Sequence, residues 1–213
     1  MLRSFLLLSL LLVTGLSAQP FRIGLKAGAQ LTGDFSEPHF ATSESKRYVV
    51  GPAFTGGEWL GFSIEFSALY RRTAFRVIGS DILGGSYFSR DAGNSWEFPL
   101  VARRTLWHGL YVGAGYAPRV IDGHGHLNNI VVLPGTKIYS EADTPGRWAT
   151  THGAVAAAGI ENRAGRLRIA PEVRYVRWNK PAIHESGSHG FEIVSSPDQV
   201  DIFVGISFPF GGK

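Results

Sequence analysis

The chain contains no cysteine, so a thiolate nucleophile, a thiolate zinc site and a disulfide framework are excluded together. What remains for chemistry is histidine, serine and the carboxylates. His124 and His126 flank Gly125 in one long polar segment, and His184 and His189 lie in a later one. Imidazoles gathered there would suit a divalent cation, but no ordered ligand spacing or carboxylate cluster accompanies them. Solvated histidines are the simpler reading, and no metal or other cofactor is expected. Acyl-transfer chemistry needs a serine, a histidine and an acid within hydrogen-bond reach. His152 and Glu161 stand on one predicted strand but about nine residues apart, too far for the acid to orient the imidazole. His184, Glu185 and Ser186 supply the residue types, yet three successive residues on a loop do not hold a catalytic geometry. Gly113 and Gly115 lack the strand–loop–helix setting of a phosphate cradle. No catalytic residue is assigned, and the chain is expected not to be an enzyme.

A different set of charges is spaced with more order. Glu65, Arg71, Glu97, Arg103, Glu161, Arg168, Glu172, Arg174 and Asp201 recur on one face of segments that alternate with period two. In Leu60–Arg71, Leu60, Phe62, Ile64, Phe66, Ala68 and Tyr70 form one face, and Gly61, Ser63, Glu65, Ser67, Leu69 and Arg71 the other. Val200–Phe210 repeats the logic, with Ile202, Val204, Ile206 and Phe208 against Asp201, Phe203, Gly205 and Ser207. Arg166–Trp178 and Ser95–Arg103 alternate in the same way, and Phe21–Gln30, Arg47–Gly56, His108–Arg119 and Thr151–Glu161 do so more weakly. In the last of these, glycines at 153 and 159 bracket the Ala154–Ala158 run too closely for a stable helix. The reading is eight strands.

Their connections alternate in length. Long polar segments at 31–46, 73–94, 120–150 and 179–197 are separated by short links at Gly56–Gly57, Arg104–Trp107 and Asn162–Gly165. Short turns at one end and long loops at the other describe an eight-stranded antiparallel up-and-down transmembrane β-barrel, an all-β fold. Small residues interleaved with both charge signs suit a narrow lumen, where Arg–carboxylate pairs satisfy groups otherwise buried alone. The opposite face is Leu, Ile, Val, Phe and Ala without charge in the strand centres, as hydrocarbon demands. Two aromatic belts are expected: Trp59, Trp107, Phe208 and Phe210 at the short-turn end, and Tyr48, Tyr70, Trp96, Tyr116, Tyr175 and Trp178 at the long-loop end. An exported soluble lipocalin-like calyx is the alternative; it would turn the apolar face inward around an apolar ligand.

Residues 1–18 read as a signal peptide, with Arg3, an apolar stretch from Phe5 to Val13, and small residues before a cut near Ala18. Residues 19–213 then form one barrel domain. The length of 213 residues permits one domain or at most two, and 44% hydrophobic with 12% aromatic residues is too apolar for disorder. The net charge of +4 is dispersed among acids, so no nucleic-acid partner is expected.

On this architecture and its final alternating strand, Val200–Phe210, the mature region resembles the small OmpA/OmpX-like family of bacterial outer-membrane β-barrel proteins. The family usually ends on the aromatic itself; here Gly211, Gly212 and Lys213 follow Phe210. The resemblance implies insertion by the barrel assembly machinery, both termini in the periplasm, long loops outside the cell, and lipid and lipopolysaccharide as neighbours. The implied role is a non-enzymatic anchor carrying surface-interaction or envelope-structural loops. Arg76, Arg90, Lys137, Arg147 and Lys180 would be the loop cations near anionic head groups. Some small barrels modify lipid A, which makes such an enzyme a further alternative; the His-x-Ser pattern of lipid A deacylases is not expected on any strand here.

Overall fold

In the computed structural model of the chain, residues 21–34, 41–80, 86–133, 136–144, 148–181, 184–186 and 192–210 are described. The signal peptide expected at 1–18 and the C-terminal 211–213 lie outside them. The strands in chain order are β1 (Phe21–Gln30), β2 (Ala41–Ser43), β3 (Tyr48–Trp59), β4 (Phe62–Ser67), β5 (Leu69–Ser80), β6 (Ser86–Glu97), β7 (Leu100–Thr105) and β8 (Leu110–Leu133). There follow β9 (Thr136–Thr144), β10 (Trp148–Ile160), β11 (Asn162–Ala164), β12 (Leu167–Trp178), β13 (His184–Ser186), β14 (Glu192–Val194) and β15 (Asp198–Phe210).

These segments build eight antiparallel staves. The first two are β1 and β3, the third is β4 continued by β5, and the fourth is β6 continued by β7. β8 is the fifth, β9 and β10 the sixth, β12 the seventh and β15 the eighth. Each stave pairs with the next, and the last pairs with the first from Phe21↔Phe210 to Gln30↔Asp201. The sheet therefore closes and its core leaves no open edge. Pro99, which has no N–H to give the ladder, separates β6 from β7. The narrow cylinder brings backbones close: a Cβ on Gly28 would stand 2.0 Å from the Ile202 carbonyl oxygen. The Ala154–Ala158 run is strand within β10.

Side chains alternate as the sequence reading expected. Along β4, Ser63, Glu65 and Ser67 are buried while Phe62, Ile64 and Phe66 are exposed. Along β15, Asp201 and Phe203 face in, and Ile202, Val204, Ile206 and Phe208 face out. The exposed set is large aliphatic and aromatic, with Leu25 62% and Ile64 56% accessible, whereas Glu65 at 2% and Arg174 at 1% are sealed inside. A soluble calyx requires the reverse, and that alternative is corrected.

Three other expectations are corrected. The first tight turn is not at Gly56–Gly57. The chain turns at Leu60–Gly61, both with positive φ (51° and 80°), in the manner of a two-residue hairpin turn, while Gly57 is taken up in a bulge between Gly56 and Trp59. His108–Gly109 makes the corresponding turn between β7 and β8 (φ 48° and 80°). Second, the segments read as long loops at 73–94 and 120–150 are largely strand. β5 pairs with β6 as far as Ser80↔Ser86, and β8 pairs with β6 and β9 over the same rise. Beyond the closed ring of staves the contrast of lipid outside and lumen inside no longer imposes period two, so the ladder leaves little mark on hydropathy. The result is a blade standing on one half of the rim. Third, Trp178 is not in a belt: it faces the lumen at 2% exposure, on the same parity as Glu172 and Arg174.

If the exterior is the hydrocarbon face, a charge there is expensive. Val204→Arg, at the middle of β15, is expected to cost about 2–4 kcal/mol of folding free energy in vesicles. Urea titration of wild type and variant in the same lipid measures it.

Candidate functional site

The interior is a column of ion pairs in three tiers. At the turn end, Glu161 follows β10 and accepts hydrogen bonds from Arg22 Nη1 at 2.7 Å and from Arg168 Nη1. Burial pushes the Glu161 carboxyl up, but Arg22 and Arg168 beside it outweigh that and hold it below the ordinary carboxylate value.

The middle tier joins β1, β4, β7, β8 and β12. Lys26 Nζ donates to Glu65 Oε1 at 2.5 Å and to Glu172 Oε2 at 2.9 Å. Arg103 spans the same two carboxylates, donating to Glu65 Oε2 at 2.7 Å and Glu172 Oε2 at 3.2 Å. Arg174 does so from the other side, with Nη2 3.0 Å from Glu65 Oε1 and 2.7 Å from Glu172 Oε1. The Tyr111 hydroxyl donates to Glu172 Oε2 at 2.8 Å, and its ring lies 3.7 Å beneath the Arg103 guanidinium. Two carboxylates are thus shared by three cations, and each oxygen is occupied.

The upper tier is held by Arg71, Glu97 and Asp201. Arg71 Nη2 is 3.2 Å from Asp201 Oδ1 and 3.4 Å from Glu97 Oε1, and Nη1 donates to Gln30 Oε1. Gln199 Nε2 donates to Asp201 Oδ2 at 2.7 Å, while its Oε1 accepts from Trp178 Nε1 at 3.0 Å. Arg119 lies over the Trp178 ring at 3.8 Å and donates to Thr151 Oγ1 at 3.1 Å. Above this tier opens a cavity of about 500 Å³, including space continuous with solvent, among whose walls are Gln30, Asp34, Arg71, Ser95, Arg119 and Gln199.

Each of the nine charged residues singled out by alternation stands in one of these tiers. The reading missed Arg22, Lys26, Gln30, Tyr111, Arg119, Thr151, Trp178 and Gln199. Arg22, Lys26 and Gln30 sit at even positions of β1, so parity carried the signal. The belts are placed unevenly. Trp107, Phe208 and Phe210 are exposed at the turn end, and Tyr48, Trp96, Tyr116 and Tyr175 are exposed at the other, with Tyr70 half-buried. The Trp59 side chain lies outside the described residues. His152, stacked on Tyr116 at 5.6 Å, lies toward the start of β10, and Glu161 follows its other end. The backbones of His124 and His126 lie in β8. The run His184–Glu185–Ser186, read as loop, is instead the strand β13, so a His-x-Ser spacing does stand on a strand and that expectation is corrected; these side chains, and the whole of His189, are outside the described residues. Arg76 and Arg90 belong to the blade and Lys180 is exposed; Arg147 and the Lys137 side chain are outside the described residues.

A closed cylinder, greasy outside and ionic within, has one solvent that fits it. The chain is an eight-stranded transmembrane β-barrel. No protein-family model matches it, and no curated protein sequence does. Among solved structures it is similar to the attachment invasion locus protein Ail of Yersinia pestis in complex with the heparin analogue sucrose octasulfate (8% identity, 90% of this chain and 97% of that one, TM-score 0.41). It is also similar to Neisserial surface protein A (9%, 89% and 97%, TM-score 0.38) and to Acinetobacter baumannii CarO (14%, 88% and 97%, TM-score 0.41). These neighbours are small outer-membrane eight-stranded barrels, the architecture the resemblance implies. At such identities and scores the likeness carries no functional argument.

The middle tier makes a strong expectation. Glu172→Gln leaves Lys26, Arg103 and Arg174 sharing one carboxylate, and loss of one partner from a buried ion cluster costs about 3–5 kcal/mol. Urea unfolding followed by heat-dependent gel migration reports it. Glu161 adds a pH dependence. Its lowered pKa contributes stability that is present above the ordinary carboxylate value and is lost as pH falls through the lowered one. The stability gap between wild type and Glu161→Gln should therefore shrink on acidification below that range.

Proposed function

We propose that the protein is a non-enzymatic anchor of the bacterial outer membrane, closed to solute flow, whose purpose lies in the blade it holds above the bilayer. The observation that carries this reading is the middle tier. Lys26, Arg103 and Arg174 fill the cross-section with cations bonded to Glu65 and Glu172, and eight strands leave room for little besides side chains. With both carboxylates held by three cations across so narrow a lumen, no continuous water path is expected. The blade of β5, β6, β8 and β9 exceeds what a bilayer crossing requires. β8 alone has 24 residues, against the roughly 9–11 that a tilted strand needs.

In this reading the tight turns and both termini face the periplasm, and the blade and the β13–β14 hairpin face outward. The apolar β15, ending on exposed Phe208 and Phe210, is the segment the barrel assembly machinery would engage. The exterior meets lipid and, in the outer leaflet, lipopolysaccharide; the blade serves surface contact or envelope structure.

Planar-bilayer recording of refolded protein tests the closed lumen: no stable conductance steps are expected, and large persistent ones contradict the reading. Protease treatment of intact cells tests orientation and should clip the blade but not the Leu60–Gly61 turn. Lipid A mass spectra with and without the protein should match; a changed acyl pattern would replace the anchor with an enzyme.

A further inference from the structure

The outward face of the barrel does not stop at its aromatic row. On the side built by β5, β6 and β8 the ladder continues upward on the same face. Tyr70 pairs with Trp96, and two residues higher Arg72 pairs with Asn94, which in turn pairs with Asp122. The Lys46 N–H donates to the Arg72 carbonyl at 3.0 Å. This continues the β2–β5 register and places Lys46 beside Arg72. Four residues above Arg72, Arg76 pairs with Arg90, and both guanidiniums reach Glu44, at 3.3 and 2.8 Å. One stripe thus carries Lys46, Arg72, Arg76 and Arg90, against the carboxylates Glu44 and Asp122. Lys46 and Arg72, on its lowest row, are exposed and make no ion pair among the described residues. The far side of the rim differs. There Arg177 is bound to Asp198, which also accepts from the Tyr175 hydroxyl at 2.5 Å.

We propose that Lys46, Arg72, Arg76 and Arg90 form a binding patch for the phosphates of a phosphorylated glycolipid in the outer leaflet. The inference rests on the membrane orientation proposed above and adds the residues and the ligand chemistry. A lipid, not a dissolved polyanion, is the occupant because the stripe is continuous with the lipid-facing surface. Phe66, Tyr70 and Trp96 lie directly beneath it, and the Tyr70 hydroxyl donating to Asn94 Oδ1 at 2.8 Å marks where apolar surface gives way to polar. At about 3.4 Å per residue along a strand tilted by about 40°, Arg72 stands roughly 5 Å above Tyr70 and Arg76 roughly 15 Å above it. The lower pair is therefore at the depth of a phosphate attached to the anchored sugar. The upper pair, pre-arranged on Glu44, is at the depth of a larger head group.

Refolded protein is mixed in detergent with diphosphorylated lipid A, with its monophosphorylated form, or with inorganic pyrophosphate as competitor, and retained ligand is read by native mass spectrometry. Wild type should retain the diphosphorylated lipid in preference, and pyrophosphate should not displace it. Lys46→Ala with Arg72→Ala should weaken retention about tenfold or more, since each cation near an anionic surface contributes several-fold. Arg177→Ala, already neutralised by Asp198, should change it by less than about twofold. Unaltered retention in the double variant, an equal loss in Arg177→Ala, or full displacement by pyrophosphate would each overturn the patch. Heat-dependent migration of the same samples reports the barrel separately: a folded barrel without lipid preference sinks this inference alone, and an unfolded one sinks the membrane reading.

Discussion

Hydrocarbon accepts no unpaired hydrogen-bonding group, and nearly every feature of this molecule follows from that refusal. The backbone meets it by closing: β1 and β15 join along ten residue pairs, Phe21↔Phe210 to Gln30↔Asp201, so the sheet core presents no free row of N–H and C=O groups to lipid. The side chains meet it by sorting. Leu25, Ile64 and Val204 face out while Lys26, Glu65 and Arg174 face in. Charges moved from the exterior must then be satisfied in a lumen with little water. The three tiers answer that second requirement, and the ionic column is as much a consequence of closure as a device added to it.

The tiers also explain how so few apolar residues suffice inside. Val101, Ala117, Val155, Ala157, Val176 and Trp178 form one buried apolar cluster, and Val49, Leu69 and Phe203 another. Phe203 of the second cluster lies against the Lys26 ammonium and the Arg174 guanidinium of the middle tier, at 5.8 and 5.1 Å. There, Glu65 and Glu172 tie β4 and β12 to cations from β1, β7 and β12. An ionic centre of this kind specifies which staves oppose one another, because each carboxylate oxygen has a named partner; removing one carboxylate strands several charges together.

How much was legible in the sequence depended on what each segment touches. β4, β12 and β15 face lipid on one side and the lumen on the other, so their period two is strong and their faces could be assigned residue by residue. The ends of β5, β6 and β8 carry no such contrast. Arg76, Arg90 and His126 stand in one cross-strand row, yet beyond the closed ring no lipid-against-lumen contrast marks the pattern and hydropathy there resembles a loop. Leu60–Gly61 was obscured because Gly56 and Gly57 look like the better turn, and only the strand register reveals the bulge that absorbs them. Trp178 was misplaced for a different reason. Trp is read as an interfacial residue by type, but its parity with Arg174 puts it inside, where Arg119 lies over it and Gln199 accepts its N–H. Parity was the better guide than residue type.

The central claim is that alternate residues of one strand see hydrocarbon and lumen. A chain without cysteine allows this to be measured directly. Single cysteines placed in turn at Ile202, Phe203, Val204, Gly205 and Ile206, labelled with an environment-sensitive fluorophore in vesicles, would be exposed to a quencher carried on the lipid tails. The account expects strong quenching at Ile202, Val204 and Ile206 and little at Phe203 and Gly205. Uniform quenching along the strand, or the opposite alternation, would contradict it.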